Sequence, residues 1–394
     1  MSPRGNNIHL NAQNLICYFF SALTVSYFLG PRYETVIGSA RIEDILILIS
    51  IILTPILYMI RPQYSTAVNR NQGALALFFF LVYMTFISLI GMLFHYQGDK
   101  SLVYYFRYLE FYVLSFLIIF FLAEEKLWQA LKYPFLICIS LSMAWFLYQI
   151  VTWEFGTFFE SHEVASYGVI GIGEAHPYSL GALYGYALVL FYVSLRFNFN
   201  IFIFLLSIIL VAALIMTLSR SSVLSLIITM LIAEVTFFNK GFLIRLFFLL
   251  VGFSFASLAA IFLITYMEIS LPFHRFSADA MVTAVENSRY ENIWKPLFLN
   301  AGEIFFLGGG SGYVALVKEG ADEAHSYYLR LLLEFGFFCL IFFLVICYLA
   351  ILRAFFLAKD RGVNKDRSKR YVSYAGLVIF AMVMSITQEG VYSI

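Results

Sequence analysis

The feature that most constrains this chain is the recurrence, along nearly its whole length, of apolar runs of about 18 residues or more, each long enough to cross a hydrocarbon layer as a helix. Of its 394 residues, 62% are hydrophobic and only 12% charged, against roughly 25% charged in soluble domains. A membrane protein follows, built as one integral domain over 1–394. The net charge of +1 gives no global electrostatic preference, so nothing points to nucleic acid. The four cysteines, Cys17, Cys138, Cys339 and Cys347, lie in or beside apolar runs without CxxC spacing and read as small core hydrophobes. The polar start MSPRGNNIHLNAQN lacks the form of a cleavable signal, so the first run is read as a transmembrane helix.

Separating the runs at polar interruptions gives about eleven spans, near 12–30, 43–60, 74–95, 103–123, 133–152, 179–195, 200–218, 222–238, 243–266, 327–352 and 371–388. The fold class is thus all-α, a polytopic bundle. An odd count puts the termini on opposite sides. The positive-inside rule places the N-terminus in the cytoplasm, because the densest basic block, KDRGVNKDRSKR from Lys359 to Arg370, then stays inside. Two outside segments are long, Trp153 to Tyr178 and Met267 to about Ser326. Long ordered loops are usually functional, so the chemistry is expected in the outer loop 267–326.

That loop carries an amphipathic stretch, VTAVENSRYENIWKPLFL, expected to lie along the membrane as a helix starting at Arg289, with Pro296 bending or ending its first part. FLGGGSGY follows, with Gly308, Gly309, Gly310 and Gly312. Such a backbone can approach an anion closely, or simply turn between two helices. Arg220, in TLSRSSVLSL, sits between two apolar runs. At mid-bilayer an arginine costs about 2.5–3.5 kcal/mol, so it is paired, hydrated or snorkelling. Arg107 lies three residues before Glu110 on one helix face, an arrangement that also suits a structural ion pair. GIGEAHPYS supplies Glu174 and His176, and a histidine before proline commonly marks a helix entry. In DEAHSYYLRLLLEFGFF, His325 stands at the outer mouth of the tenth span, where Asp322 and Glu323 can orient it.

Taken in order, these residues resemble the O-antigen ligase and polymerase family of bacterial inner-membrane glycosyltransferases. The resemblance rests on Ser219–Arg220–Ser221–Ser222, Arg289 before Trp294, the glycines 308, 310 and 312, and H-S-x9-G at His325, Ser326 and Gly336. It is most specific from about residue 210 to 345. It implies a GT-C-like bundle in the inner membrane, a periplasmic site, and a glycan on undecaprenyl diphosphate as donor. The acceptor would be another glycan or lipid A-core, and a chain-length regulator is a possible partner. Direct inverting displacement without metal or cofactor is implied as well. Arg220 and Arg289 would steady the leaving diphosphate, since guanidinium grips phosphate bidentately. His325 would accept the acceptor hydroxyl's proton. Arg107, Arg275, Lys295, Gly310, Gly312 and His176 would bind substrate. Ligases of this family commonly carry a second glycine three positions after Gly336; Cys339 occupies that position, which leans the reading towards polymerisation. A transporter would show internal repeats and mid-membrane charge, and a scaffold would not gather a histidine and two arginines on one side.

Overall fold

The computed structural model describes residues 32–35, 38–41, 72–94, 105–106, 108–109, 124–152, 177–217, 219–238, 294–300, 302, 304–314, 326–360 and 362–386. Its elements are strands β1 (Arg32–Thr35) and β2 (Gly38–Arg41), then helices α1 (Gln72–Phe94), α2 (Glu124–Thr152), α3 (Pro177–Phe197), α4 (Ile201–Met216), α5 (Arg220–Ala233, continued by a π-helical turn, Glu234–Phe238), α6 (Lys295–Asn300), α7 (Tyr327–Lys359) and α8 (Lys365–Met384). The expected spans 12–30, 43–60, 243–266 and nearly all of 103–123 lie outside the described residues. The other seven fall on helices. Four of these are long and apolar enough to cross a membrane: Leu75–Phe94, Leu180–Phe197, Ser221–Phe238 and Tyr327–Lys359.

The all-α class holds for the described residues apart from one short hairpin, in which β1 and β2 pair antiparallel, Arg32 opposite Arg41 and Thr35 opposite Gly38. Several boundaries need correction. α2 starts at Glu124, nine residues before the expected boundary, and runs through Pro134. Its polar first turns EEKLWQALKY are helix formers, which hydropathy alone overlooks. For the same reason α8 begins in the basic block at Lys365, where Asn364 caps it by accepting from the Arg367 N–H. Pro296 is the second residue of α6; the expected helix start at Arg289 lies outside the described residues.

Contacts group the chain into two units. One comprises Met1–Cys138, Ile293–Ala324 and Tyr328–Ile346; the other comprises Ile139–Asn292, His325–Tyr327 and Cys347–Ile394. In the second unit α3 is the central helix, with 72% of its apolar window buried against 39% for that of α5. Its sequence explains this, since Gly181, Ala182, Gly185 and Ala187 let neighbours approach its backbone. Lipid tails give apolar helices no preference for one another, so such close packing carries the association. The Phe380 ring of α8 covers Gly185, and Gly376 of α8 meets Val189; α3 and α8 are therefore antiparallel. Gly181 packs on Ser219 and Ser222 at the start of α5, while Phe197 meets Phe238 at the end of the π turn, so α3 and α5 run parallel.

Charged groups gather at the end of this unit formed by Phe197, Phe238 and Lys365. Glu234, buried, accepts from Tyr192 Oη and from Arg196 Nε at 2.6 Å. The Arg196 guanidinium lies 4.2 Å from the Phe238 ring centroid. Lys365 Nζ donates to Asn198 Oδ1 and Lys369 Nζ to Ser194 Oγ, each at 2.7 Å. Hydroxyls along the apolar helices bond back to their own turns instead, as Thr229 Oγ1 does to Ser225 O and Ser207 Oγ to Ile203 O.

Candidate functional site

In the first unit the organising feature is a break in α7. Gly336 takes φ 82° and ψ 174° inside an otherwise helical run, a left-handed backbone that side chains disfavour. About 23 residues follow the break, roughly 34 Å of helix, enough to cross a hydrocarbon core of about 30 Å. The nine residues before it, Tyr327 to Phe335, are free to do something else. Breaking a helix strands the carbonyls before the break and the amides after it, and buried polar backbone must be re-paired.

A single loop does most of that. The Gly309 N–H donates to Leu333 O and the Gly310 N–H to Glu334 O, both at 2.8 Å, and the Phe337 N–H donates to Phe305 O at 2.8 Å. Tyr83 Oη of α1 supplies a further bond, to Phe335 O at 3.2 Å. The loop approaches this closely because it is glycine: Gly308, Gly310 and Gly312 all have positive φ. A Cβ on Gly310 would stand 2.6 Å from the Cα of Gly91, and one on Gly336 would stand 2.2 Å from Phe306 O. The loop's amides are thus aimed at the broken helix. The expectation that Gly310 and Gly312 cradle a substrate anion does not match this geometry; Gly312 N–H faces the Glu334 carboxylate.

Two charges lie on the short segment before the break. Arg330 and Glu334, only 2% and 0% exposed, pair through Nε and Oε1 at 3.2 Å. Tyr108 Oη donates to Glu334 Oε2 at 2.6 Å, and its ring stands edge-on to Phe335. On the adjacent face Leu329 and Leu333 join Leu297, Ile304 and Val314 in a buried cluster against which Trp294 and Tyr313 pack. Sequence reasoning missed this network. The four-residue spacing of Arg330 and Glu334 within an apolar run is nevertheless legible in YYLRLLLEFGFF.

In the second unit one end brings together the start of α3, the start of α5 and the end of α8. Ser219 Oγ and Ser222 Oγ are 2.7 Å apart, and the Ser219 N–H donates to Thr217 Oγ1. The Tyr327 N–H donates to Ser385 O at 3.0 Å, which ties the start of α7 to the same end. Arg220 is therefore the first residue of a helix at this end. The helix after His176 starts here, as does the helix two residues after His325. His176, His325, Arg107, Arg275 and Arg289 themselves lie outside the described residues, as does the Arg220 side chain. Lys295, in the first unit, is exposed on α6 next to the anchored Trp294.

Comparison with known families now decides the resemblance. Residues 202–344 match the O-antigen ligase family, Wzy_C. The matched stretch is about a third of the chain and runs from α4 through Arg220, Arg289 and the glycine loop to the break in α7. The likeness to O-antigen ligases thus holds for the segment that carries Arg220, Arg275, Arg289, Lys295, Gly310, Gly312 and His325, and Arg107 and His176 lie outside it. No curated protein matches the chain.

Proposed function

We propose that the protein is a membrane glycosyltransferase that takes a glycan from undecaprenyl diphosphate and polymerises surface-polysaccharide repeat units at the periplasmic face of the inner membrane. The observation that carries this reading is the family match over 202–344. Arg220 opens α5 at the end of the second unit where the helices following His176 and His325 also begin.

The chemistry follows from the residues. The acceptor hydroxyl attacks the anomeric carbon from the face opposite the diphosphate, and His325 takes its proton. The carbon–oxygen bond to phosphate breaks with inversion, and the lipid diphosphate leaves with the bonding pair. Arg220 and Arg289 bear the charge that develops, a role worth about 2.7–4 kcal/mol per donor in comparable sites. The N-terminus of α5 adds its own positive end. Arg107, Arg275 and Lys295 supply further cationic contacts along the glycan or its carrier, and His176 also binds substrate. Gly310 and Gly312 enter as scaffold, since their amides serve the broken helix.

Ligation to lipid A-core is the second reading, favoured by the description of the matched family itself. Cys339, buried in α7 at the place of the ligases' second glycine, favours polymerisation. A strain lacking the protein, complemented with wild type, Arg289→Ala or His325→Ala, tests both. Single repeat units left on lipid A-core mean a polymerase. Bare core with long chains on undecaprenyl diphosphate means a ligase, and wild-type profiles from both variants overturn the site.

A further inference from the structure

We propose that Glu334 is a positioning residue for the transfer reaction, clamping the short helix that follows His325 through Arg330, Tyr108 and the glycine loop. The inference rests on the glycosyltransferase reading. Its ground is the convergence of distant parts of the chain on two helical turns. Tyr108, 226 residues away in sequence, reaches the Glu334 carboxylate at 2.6 Å. Arg330 Nε reaches it from one turn earlier at 3.2 Å, and the Gly312 amide faces it from the loop. Gly310 grips the same residue's carbonyl. On the adjacent face Trp294, five residues beyond Arg289, packs with Leu329 and Leu333. His325, two residues before this short helix, and Arg289, five residues before Trp294, are thus each close in sequence to a residue that this piece of the chain holds.

Arg330 differs in kind from the arginines assigned to the diphosphate. It is 2% exposed and directed at an internal carboxylate, so it acts on the reaction through the helix rather than by touching substrate. A buried pair of this kind does not hold a fold together better than apolar residues of similar volume would. Its directional bonds do fix one orientation, which well-packed apolar side chains need not. A misplacement of about 1 Å at a reacting group costs about 10²-fold in rate.

The test uses the full-length protein in lipid nanodiscs, with an undecaprenyl-diphosphate oligosaccharide repeat unit as donor and acceptor. Bound donor per protein and single-turnover rate are measured for wild type and for the double variant Arg330→Met, Glu334→Leu. Donor bound at wild-type stoichiometry with turnover down about 10²-fold is the expected result. Wild-type turnover overturns the inference, and so does a loss of turnover matched by an equal loss of binding, which marks a purely structural pair. If the double variant does not accumulate, Tyr108→Phe decides. Removing one charge-assisted hydrogen bond there should leave donor binding intact and slow turnover about tenfold; unchanged turnover overturns the clamp. Arg289→Ala and His325→Ala are assayed alongside. Inactive single variants beside an active double variant remove only the role of Glu334, whereas full activity in both removes the glycosyltransferase site.

Discussion

The two units solve the same problem in opposite ways. In the second, α3, α5 and α8 remain unbroken through their apolar length, hydroxyls bond back to their own turns, and charges collect at one end, where Glu234 meets Arg196. In the first, α7 is interrupted at Gly336, and backbone from another segment is inserted to pair what the interruption exposes. Irregular backbone at membrane depth is tolerated only where protein surrounds it, and here the glycine loop, Gly91 and Tyr83 do the surrounding. Side chains hold one unit together; backbone holds the critical part of the other. A side-chain contact has neighbours that can move, and a backbone contact has almost none.

The sharpest way to break this contrast is Gly336→Ala. The residue sits at φ 82°, and its new Cβ would meet a main-chain oxygen at 2.2 Å. Strain of about 1–3 kcal/mol for the conformation and about 1–3 kcal/mol for overpacking act together. The expected outcome is loss of protein from the membrane, read by immunoblot, with no recovery on trimming neighbouring side chains. Gly185→Ala in the second unit meets only the tip of the Phe380 ring. It should cost about 1–3 kcal/mol and be recovered by Phe380→Leu. Recovery of Gly336→Ala by a side-chain change would show that the loop gives way as readily as a ring.

The buried carboxylates give the next comparison. Glu334→Ala removes the carboxylate from beside Arg330, 2% exposed, and should cost about 3–5 kcal/mol. Glu234→Ala leaves Arg196 with 18% exposure and the Phe238 ring beside it, so about 1.5–3 kcal/mol is expected, as for hydrogen bonds to charged groups. Thermal unfolding of the purified variants in detergent measures both. Equal losses would mean that enclosure does not set the cost at these two sites.

How far these features were legible follows from what each depends on. Apolar runs are a local property, so seven expected spans coincide with helices. The starts of α2 and α8 were misjudged because polar helix formers continue a helix without contributing hydropathy. Gly308, Gly310 and Gly312 were recognised as conformationally free, but not the partner that uses them. Only the pairing of Gly309 and Gly310 with Leu333 and Glu334 shows that these amides face a broken helix, and that pairing joins segments more than twenty residues apart. Tyr108 lies further still from Glu334 in sequence, so no spacing rule could link them. The contact of Ser219 with Ser222 lies within one turn, at a spacing the sequence itself displays.

The smallest effect tests the second unit where it is most ordinary. Asn200 caps α4, its Oδ1 accepting from the Phe202 and Ile203 amides at 2.9 and 3.3 Å. Asn200→Ala leaves those amides without that acceptor and should cost about 1 kcal/mol, while Asn200→Ser or Asn200→Asp should return most of it. The same thermal scan reads this as a small fall in Tm that either replacement reverses. Because the bonds are made by one side chain to its own helix, the loss should add to that of Gly185→Ala without coupling. A Tm unchanged by Asn200→Ala would mean that the amides find an equal partner in water or lipid headgroups at that end. The contrast between side-chain and backbone support would then apply only to contacts removed from such solvent.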